Sequence, residues 1–282
     1  MAKFYTCRND RAFKEVFLKP NNSDLLKALL EFILKIKIDK LEIKKTELLS
    51  GNVNIKDKRV DAIVHTGNKK IEIEINSQNK DYLHTRSTAY ICNIYQSNAN
   101  VGDTYNEDTD IIQVNLTWGL GRNNDEVKIF KIMNEKGELY VKNFIIYEIN
   151  MDYYNKLFCK NEDEIKKNQY MIMLDLDKKE LKNMPKDKIV DKYITNVTIV
   201  NDDPEFQKYM SEEEDKKKIQ NSLLSEAKES GYISGISDGI SEGENKKSIE
   251  IAKNLLSMNM PLEDISKATG LSIEEINKIN EN

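Results

Sequence analysis

Two short segments on either side of Gly67-Asn68 alternate strictly between apolar and polar residues, and this alternation constrains the fold more than any other feature. Successive side chains of a β-strand point to opposite faces, so the pattern predicts strands at residues 58–66 and 69–76 that share one apolar face. Gly-Asn between two such runs is typical of a tight hairpin loop. The apolar face consists of Val60, Ala62, Val64, Ile71, Ile73 and Ile75.

The loop also determines which residues face each other across the hairpin. With residues 67–68 as a two-residue loop, Asp61 lies directly opposite Glu74, and Arg59 lies opposite Asn76. A slip of the register by one residue would turn these polar side chains onto the apolar face, so the pattern opposes that alternative. The polar face of the hairpin therefore carries a facing pair of acids.

Two carboxylates that face each other on adjacent strands repel, because their Cβ atoms lie only about 4.5–5.5 Å apart. A half-buried pair of this kind needs a proton or a cation. Mg²⁺ or Mn²⁺ suits carboxylates, water and phosphate, and such an ion activates water for phosphodiester hydrolysis. Asp61 and Glu74 are therefore candidate metal ligands. The alternative, an ordinary solvated strand surface, stays open on this pattern alone.

Helical and strand patterns alternate around the hairpin. Two amphipathic helices and a strand at residues 41–48 precede it, and a helix at residues 82–97 and a strand at residues 110–118 follow it. Two more strands are predicted within residues 126–132 and 139–149, joined by a turn at Glu135-Lys136-Gly137. The order ααβββαβ, followed by more β, predicts an α/β core built around one mixed sheet.

The overall composition narrows the function. The net charge of −5 argues against a protein that coats nucleic acid nonspecifically. It does not exclude an enzyme that binds nucleic acid through a local basic rim. The three cysteines are widely spaced and predict no disulfide framework, and two histidines are too few for an imidazole-based zinc enzyme. The N-terminal residues lack an apolar signal core and no segment reads as a membrane span, so we expect a cytoplasmic protein.

The remainder of the chain predicts a helical tail. Residues 205–245 combine a charged helix with glycines at every fourth position, which we interpret as a linker because each glycine disfavours helix by about 1 kcal/mol. Residues 246–282 resemble a helix-turn-helix, with Ser272 and Glu275 as a capping box. The last helix is acidic, which does not favour base recognition and leaves protein interaction as the alternative. The repeated glycines are Gly231, Gly235, Gly239 and Gly243.

Several short segments follow one another in a characteristic order. They are NDRAFKEVF, LLKALLEFIL, VDAIV, IEIEIN, RSTAY at residues 86–90, Gly102-Asp103 followed by Tyr105, and QYMIMLDLD at residues 169–177. In order and spacing these segments resemble the PD-(D/E)XK nuclease family transposases, also called recombination-promoting nucleases. The resemblance implies a restriction-endonuclease-like core over residues 1–200, metal-dependent nuclease activity and DNA as the substrate.

The resemblance also implies roles for individual residues. Asp61 matches the first acid of the family, and Glu74 matches the acid of the second motif. Glu15, in the first helix, matches an acidic position that completes the metal shell in this superfamily. Asn76 stands where most members have lysine and this family often has glutamine. Glu72 is expected to be a solvated flanking acid, although a shifted motif that uses it stays open.

Asn76 is the most serious departure, because a short neutral side chain cannot stabilise the negative charge that develops on a phosphate. Arg59 offers a substitute through the predicted register, and Lys80 lies just after the strand. Arg86 and Tyr90 match a helix beside the family's site and are candidates for substrate binding. Being one helical turn apart, they are equally compatible with a simple surface pair.

Three functions are compatible with these observations. The first is a Mg²⁺- or Mn²⁺-dependent DNA endonuclease that promotes recombination, with Asp61, Glu74, Asn76 and Arg59 as its catalytic residues. The second is a catalytically inactive relative that binds DNA or a protein. The third is a scaffold that forms a homo-oligomer through the helices of residues 205–245. No acidic triad of the usual integrase kind is evident in the sequence.

Overall fold

The structure is a computed structural model that describes residues 3–44, 47–48, 58–59, 61–97, 108–122 and 124–280. The chain divides into two units, Met1–Lys208 and Tyr209–Asn282, which are described separately. Val60 and the Gly102-Asp103 and Tyr105 positions of the family resemblance lie outside the described residues.

A six-stranded mixed sheet forms the centre of the first unit, in the order β1-β4-β5-β6-β8-β7. The central strands β5, β6 and β8 are parallel to one another, and the outer strands pair antiparallel. Strands β2 and β3 form a separate two-stranded ladder. The strands are β1 Glu42–Lys44, β2 Glu47–Leu48, β3 Lys58–Arg59, β4 Ala62–Thr66, β5 Lys69–Asn76, β6 Asp110–Thr117, β7 Val127–Lys131 and β8 Phe144–Asn150.

The β4–β5 hairpin has the predicted register. Thr66 pairs with Lys69 across the loop, and Ala62 pairs with Ile73 at the far end. Gly67 has a φ of 53°, a left-handed conformation that glycine adopts without a steric penalty. The predicted alternation of faces is therefore confirmed along the described length of both strands.

Helix α3, Leu83–Gln96, connects the parallel strands β5 and β6 and packs on the face of the sheet that carries the acids. Such a crossover places a helix over the sheet, so neither face of a parallel strand stays open to solvent. The apolar part of this contact is a buried cluster of Ile63, Ile91, Ile94, Ile111 and Phe144. The polar face of the hairpin is consequently buried rather than solvated.

Among the described residues of the first unit, five further α-helices pack against one another. The segment after β8 is helical. Asn9 and Asn150 begin α1 and α4 with side-chain oxygens that accept backbone N–H groups, as N-capping residues do. The helices are α1 Asp10–Phe17, α2 Ser23–Leu34, α4 Met151–Leu157, α5 Glu162–Ile172 and α6 Lys188–Asp202.

Asp175 joins three distant parts of this unit. Its carboxylate accepts hydrogen bonds from Thr6 Oγ1 at 3.0 Å, Trp118 Nε1 at 2.8 Å and Asn155 Nδ2 at 2.7 Å. These donors belong to the N-terminal segment, the end of β6 and helix α4. Because Trp118 is fully buried, its indole N–H has little access to water if this acceptor is lost.

We expect Asp175→Ala to destabilise the protein by about 3 kcal/mol, since it leaves one buried and two partly buried donors without this acceptor. Urea denaturation followed by tryptophan fluorescence measures this loss. Asp163→Ala, at an exposed position on α5, serves as the control and should change stability by less than about 0.5 kcal/mol. Equal midpoints for the two variants would contradict the role of Asp175.

The second unit contains most of the 54-residue helix α7, Pro204–Ser257, together with α8, Leu262–Thr269, and α9, Ile273–Asn280. The glycine repeat lies inside α7 and is helical, and its interpretation as a linker stays a prediction. Backbone hydrogen bonds hold a helix without side-chain help, and each glycine costs only about 1 kcal/mol. Assembly through this helix stays a prediction.

The C-terminal residues form a small helical module with its own core. Ala252, Ile265 and Ile276 are buried together, one from each of the three helices. The predicted capping box is present, because Ser272 N–H donates to Glu275 Oε2 at 2.8 Å and Glu275 N–H donates to Ser272 Oγ at 3.3 Å. Within the described residues of both units, no helix is long and apolar enough to cross a membrane.

Candidate active site

Asp61 and Glu74 lie side by side at the N-terminal end of β4. The Asp61 N–H donates to Glu74 Oε1 at 3.3 Å, and the Ile75 N–H donates to Asp61 Oδ2 at 2.8 Å. The β4–β5 ladder ends one residue earlier, at Ala62 and Ile73, so side-chain carboxylates take over as backbone acceptors. Asp61 is 9% exposed and Glu74 is 5% exposed. The structure therefore brings the two predicted acids together and buries both.

Two cations from different helices contact this pair of acids. Lys14 of α1 places its Nζ 2.9 Å from Asp61 Oδ1. Arg86 of α3 places a guanidinium nitrogen 3.3 Å from Glu74 Oε2. Both cations are partly exposed, whereas the acids lie beneath them. Positive charge thus surrounds the solvent side of the pair, where an anionic substrate would approach.

The pKa values of both acids are raised in spite of these two cations. Burial raises the pKa of Glu74 to about 8, with a further contribution from the neighbouring Asp61 charge, and Arg86 only partly opposes this. Burial also raises the pKa of Asp61, against the effect of Lys14. With its pKa raised to about 8, Glu74 holds a proton, or another cation in its place, at neutral pH.

This arrangement fits a divalent cation. The ligands are hard carboxylate oxygens, each with lone pairs beyond its present hydrogen bond, and the local charge favours a cation. Within the described ranges, no group of three or more His, Cys, Asp or Glu side chains is positioned to hold a metal ion. Asp61 and Glu74 would therefore share the ion with water and substrate phosphate, as Mg²⁺ sites in phosphoryl-transfer enzymes do.

Asn76 is engaged by its neighbours in the site. Its Oδ1 accepts from Arg86 at 2.5 Å, and its Nδ2 lies 3.3 Å from Thr117 Oγ1. Asn76 is therefore placed to orient the Arg86 guanidinium beside Glu74. Arg86 also lies 5.8 Å from the centre of the Tyr90 ring, so the two helix residues predicted beside the site are in contact with each other.

Two other predicted residues contact side chains other than the acids. Glu15 pairs with Arg11 at 2.8 Å and with Lys19 at 3.4 Å on its own helix. Its assignment to the metal shell stays a prediction. Lys80 lies over the ring of Tyr82, at 5.8 Å from its centre.

The predicted pairing of Arg59 with Asn76 is wrong. The residues predicted as a single strand at 58–66 form two strands, and the backbone of Arg59 pairs with Glu47 in the separate two-stranded ladder. The physical reason is the bend at Asp61, whose carboxylate satisfies the Ile75 N–H that a continued strand would have bonded. A catalytic role for Arg59 stays a prediction.

The expectation that Glu72 is a solvated acid is also wrong, because Glu72 is only 1% exposed. Strict alternation identified the face on which it lies but not the helix that covers that face. Helix α3 buries Glu72 together with Gln113 and Asn115 of the neighbouring strand.

Sequence reasoning missed several functional candidates. Lys14 takes the place beside Asp61 for which the sequence offered Glu15, and no local pattern distinguishes these adjacent positions on α1. The buried polar row on β6 did leave a signal, since Gln113, Asn115 and Thr117 alternate with apolar residues. Such alternation in a central parallel strand indicates a polar lining beneath the covering helix.

Comparison with known proteins agrees with this geometry. Residues 7–227 match the family model described as PD-(D/E)XK nuclease family transposase. The match covers well over half of the chain, which therefore belongs to this family, and the mixed sheet with its helical tail is consistent with a restriction-endonuclease-like core. No curated protein and no solved structure matches the chain significantly.

The raised pKa of Glu74 predicts how the stability of the metal-free protein depends on pH. Between pH 4.5 and about 8 the folded protein keeps a proton that the unfolded chain has lost, so rising pH favours unfolding across this window. We expect wild type to lose on the order of a few kcal/mol relative to Glu74→Gln over this range.

Thermal unfolding in EDTA at several pH values measures this difference. Adding Mg²⁺ at about pH 8 should recover part of the stability of wild type but not that of the variant, because a ligand that binds the folded state stabilises it. A difference between the two proteins that is independent of pH would contradict the assignment.

Proposed function

We propose that this protein is a divalent-metal-dependent DNA endonuclease whose reaction takes place at Asp61 and Glu74. The observation that carries the proposal is the buried acid pair with raised pKa values, in contact with two partly exposed cations. Membership of a nuclease family supports the same chemistry and supports DNA as the substrate. We further propose that the breaks promote recombination.

The metal in this proposal is Mg²⁺ or Mn²⁺, held by Asp61 and Glu74. When bound, such an ion neutralises the phosphate and lowers the pKa of a coordinated water. The protein's own groups select the cation and hold its ligands in place. Asp61 and Glu74 supply the negative charge that selects the cation, and Ile75 holds Asp61 in place by its backbone N–H.

Lys14 and Arg86 are the groups best placed to compensate for the missing lysine at position 76. Each has a flexible side chain that reaches the acids from outside and carries positive charge toward the position of a substrate phosphate. Asn76 then has a positioning role, since it holds Arg86 by a hydrogen bond. Charge placed in advance at this position stabilises the negative charge of the transition state.

The first test is nicking of supercoiled plasmid by the full-length protein with Mg²⁺, with Mn²⁺ and with EDTA. We expect metal-dependent nicking in wild type and a loss of at least about 100-fold in both Asp61→Asn and Glu74→Gln. Asp163→Asn and Glu162→Gln are matched controls on the exposed first turn of α5 and should keep full activity. Activity in the site variants equal to wild type would refute the assignment of the site.

A second test separates Lys14 from a lysine that lies just beyond the end of the same helix. Lys14→Met should lower the rate constant for nicking by at least about tenfold while DNA affinity changes little, because the cation acts on developing charge. Lys19→Met, which removes the ion pair with Glu15, is the control. Equal rates in the two variants would exclude Lys14 from the reaction.

The alternative function is that of an inactive relative that binds DNA. One observation favours it. Each of the four carboxylate oxygens of Asp61 and Glu74 already accepts a hydrogen bond or contacts a cation, so the protein's own groups occupy the positions of a metal ion. A folded wild-type protein that shifts DNA in a gel but nicks it with neither metal would establish this alternative. Lys14→Met and Arg86→Met should then weaken DNA binding instead of turnover.

A further inference from the structure

A pocket of about 170 Å³ opens between α3 and the sheet, separate from the acid pair. Its polar lining comes from His84, Ser87 and Thr88 of α3, Asn115 of β6 and Glu148 of β8. Phe130 of β7 and Ile146 of β8 provide apolar walls. The size suits one planar ring system rather than a base pair.

The pocket lies in the same sheet as the candidate active site, and helix α3 contributes side chains to both. Glu74, Asn115 and Glu148 are paired in one row across the parallel strands β5, β6 and β8. Neighbouring strands are about 4.8 Å apart, so Glu148 lies roughly 10 Å from Glu74 along the sheet. In α3, Arg86 contacts Glu74, and the next residue, Ser87, lines the pocket. A ligand in the pocket is thus within one nucleotide of a phosphate at the acids.

Hydrogen-bond acceptors line the floor of the pocket. Glu148 is 6% exposed, and its Oε2 accepts from His84 Nε2 at 3.1 Å, which leaves most of the carboxylate's acceptor capacity available. Asn115 is 4% exposed, and its Nδ2 donates to Ser87 Oγ at 2.9 Å. The Asn115 Oδ1 is buried and has no hydrogen-bond partner among the described residues. Buried acceptors of this kind favour a ligand that brings N–H donors.

The mouth of the pocket is aromatic. The rings of His84 and Phe130 lie 6.1 Å apart with an angle of 55° between their planes, and both side chains are exposed. Nucleic-acid enzymes hold an unstacked base in this way, with its face against aromatic side chains and its edge on buried polar groups. The pocket thus combines an aromatic entrance with an acidic floor.

We propose that this pocket binds a single unpaired nucleobase of the DNA substrate and prefers guanine. Guanine presents two adjacent donors, N1–H and N2–H₂, which match a carboxylate such as Glu148. Adenine and cytosine each present one amino group beside an acceptor, and thymine presents one N–H between two carbonyl oxygens that the carboxylate repels. The expected order of binding is therefore guanine first and thymine last. This proposal rests on the proposed function in one respect, namely that the ligand is part of the nuclease substrate.

Direct binding tests the pocket without requiring cleavage. The full-length protein in EDTA is titrated with dGMP, dAMP, dCMP and dTMP, and binding is followed by saturation-transfer NMR and calorimetry. We expect dGMP to bind at least about tenfold more tightly than dTMP, one donor pair being worth about 1–2 kcal/mol. Glu148→Gln, which keeps the size of the side chain, should abolish this preference.

Two further variants complete the test. One removes the stacking of the base on Phe130, and the other is a control for the effect of any glutamate substitution. Phe130→Ala should weaken the binding of all four nucleotides by roughly tenfold, because stacking does not distinguish bases. Glu126→Gln, at an exposed position just before β7, is the matched control and should bind as wild type does. Thermal unfolding of each variant establishes that it is folded. Equal affinity for the four nucleotides, or a guanine preference that survives Glu148→Gln, overturns the proposal.

An oligonucleotide arm distinguishes a DNA base from a free nucleotide as the ligand. Hairpin DNA with one unpaired guanine should compete with dGMP more strongly than the same hairpin with an unpaired thymine. Guanine-specific binding in a protein that never nicks DNA would leave the pocket established and refute the nuclease proposal. Metal-dependent nicking with no base preference in binding would support the nuclease proposal and refute the proposal for the pocket. Preference for dGMP without preference among the hairpins would refute DNA as the source of the base.

Discussion

The arrangement at the candidate site depends on one exchange of hydrogen bonds. Where the hairpin ends, Asp61 donates its N–H to the Glu74 side chain, and its own carboxylate accepts the N–H of Ile75. This exchange buries two acids side by side, which is costly unless positive charge is nearby. Lys14 and Arg86 supply that charge from two helices that are distant in the sequence. The reaction that we propose would require in addition a divalent cation and a DNA phosphate.

Helix α3 connects this acid pair to the rest of the polar face. It buries side chains that the sequence pattern alone would have left in water, and it provides Arg86 to one site and Ser87 to the other. The polar residues beneath it, Gln113 and Asn115 among them, are buried on strand β6, which pairs with the strand of Glu74. Buried polar groups are expensive to maintain, so their concentration under one helix beside an acid pair points to function rather than stability.

Part of the fold and the site was predictable from local patterns. The hairpin, its register, the meeting of Asp61 with Glu74, the order of the main strands and the capping box of the last helix all follow from rules that act over a few residues. The glycine repeat shows where such rules are insufficient. Propensity argued for a break, but a long helix tolerates a penalty of about 1 kcal/mol at each glycine.

The sequence by itself determined which residues share a face, because strand alternation is a property of the local backbone. Only the tertiary structure decided what covers each face and which distant side chains complete the site. It selected Lys14 over its neighbour Glu15, since the two differ only in their direction around one helix. It separated Arg59 from the main sheet, since the bend at Asp61 satisfied the backbone in another way. Contacts between segments far apart in the chain depend on packing, and no local periodicity specifies them.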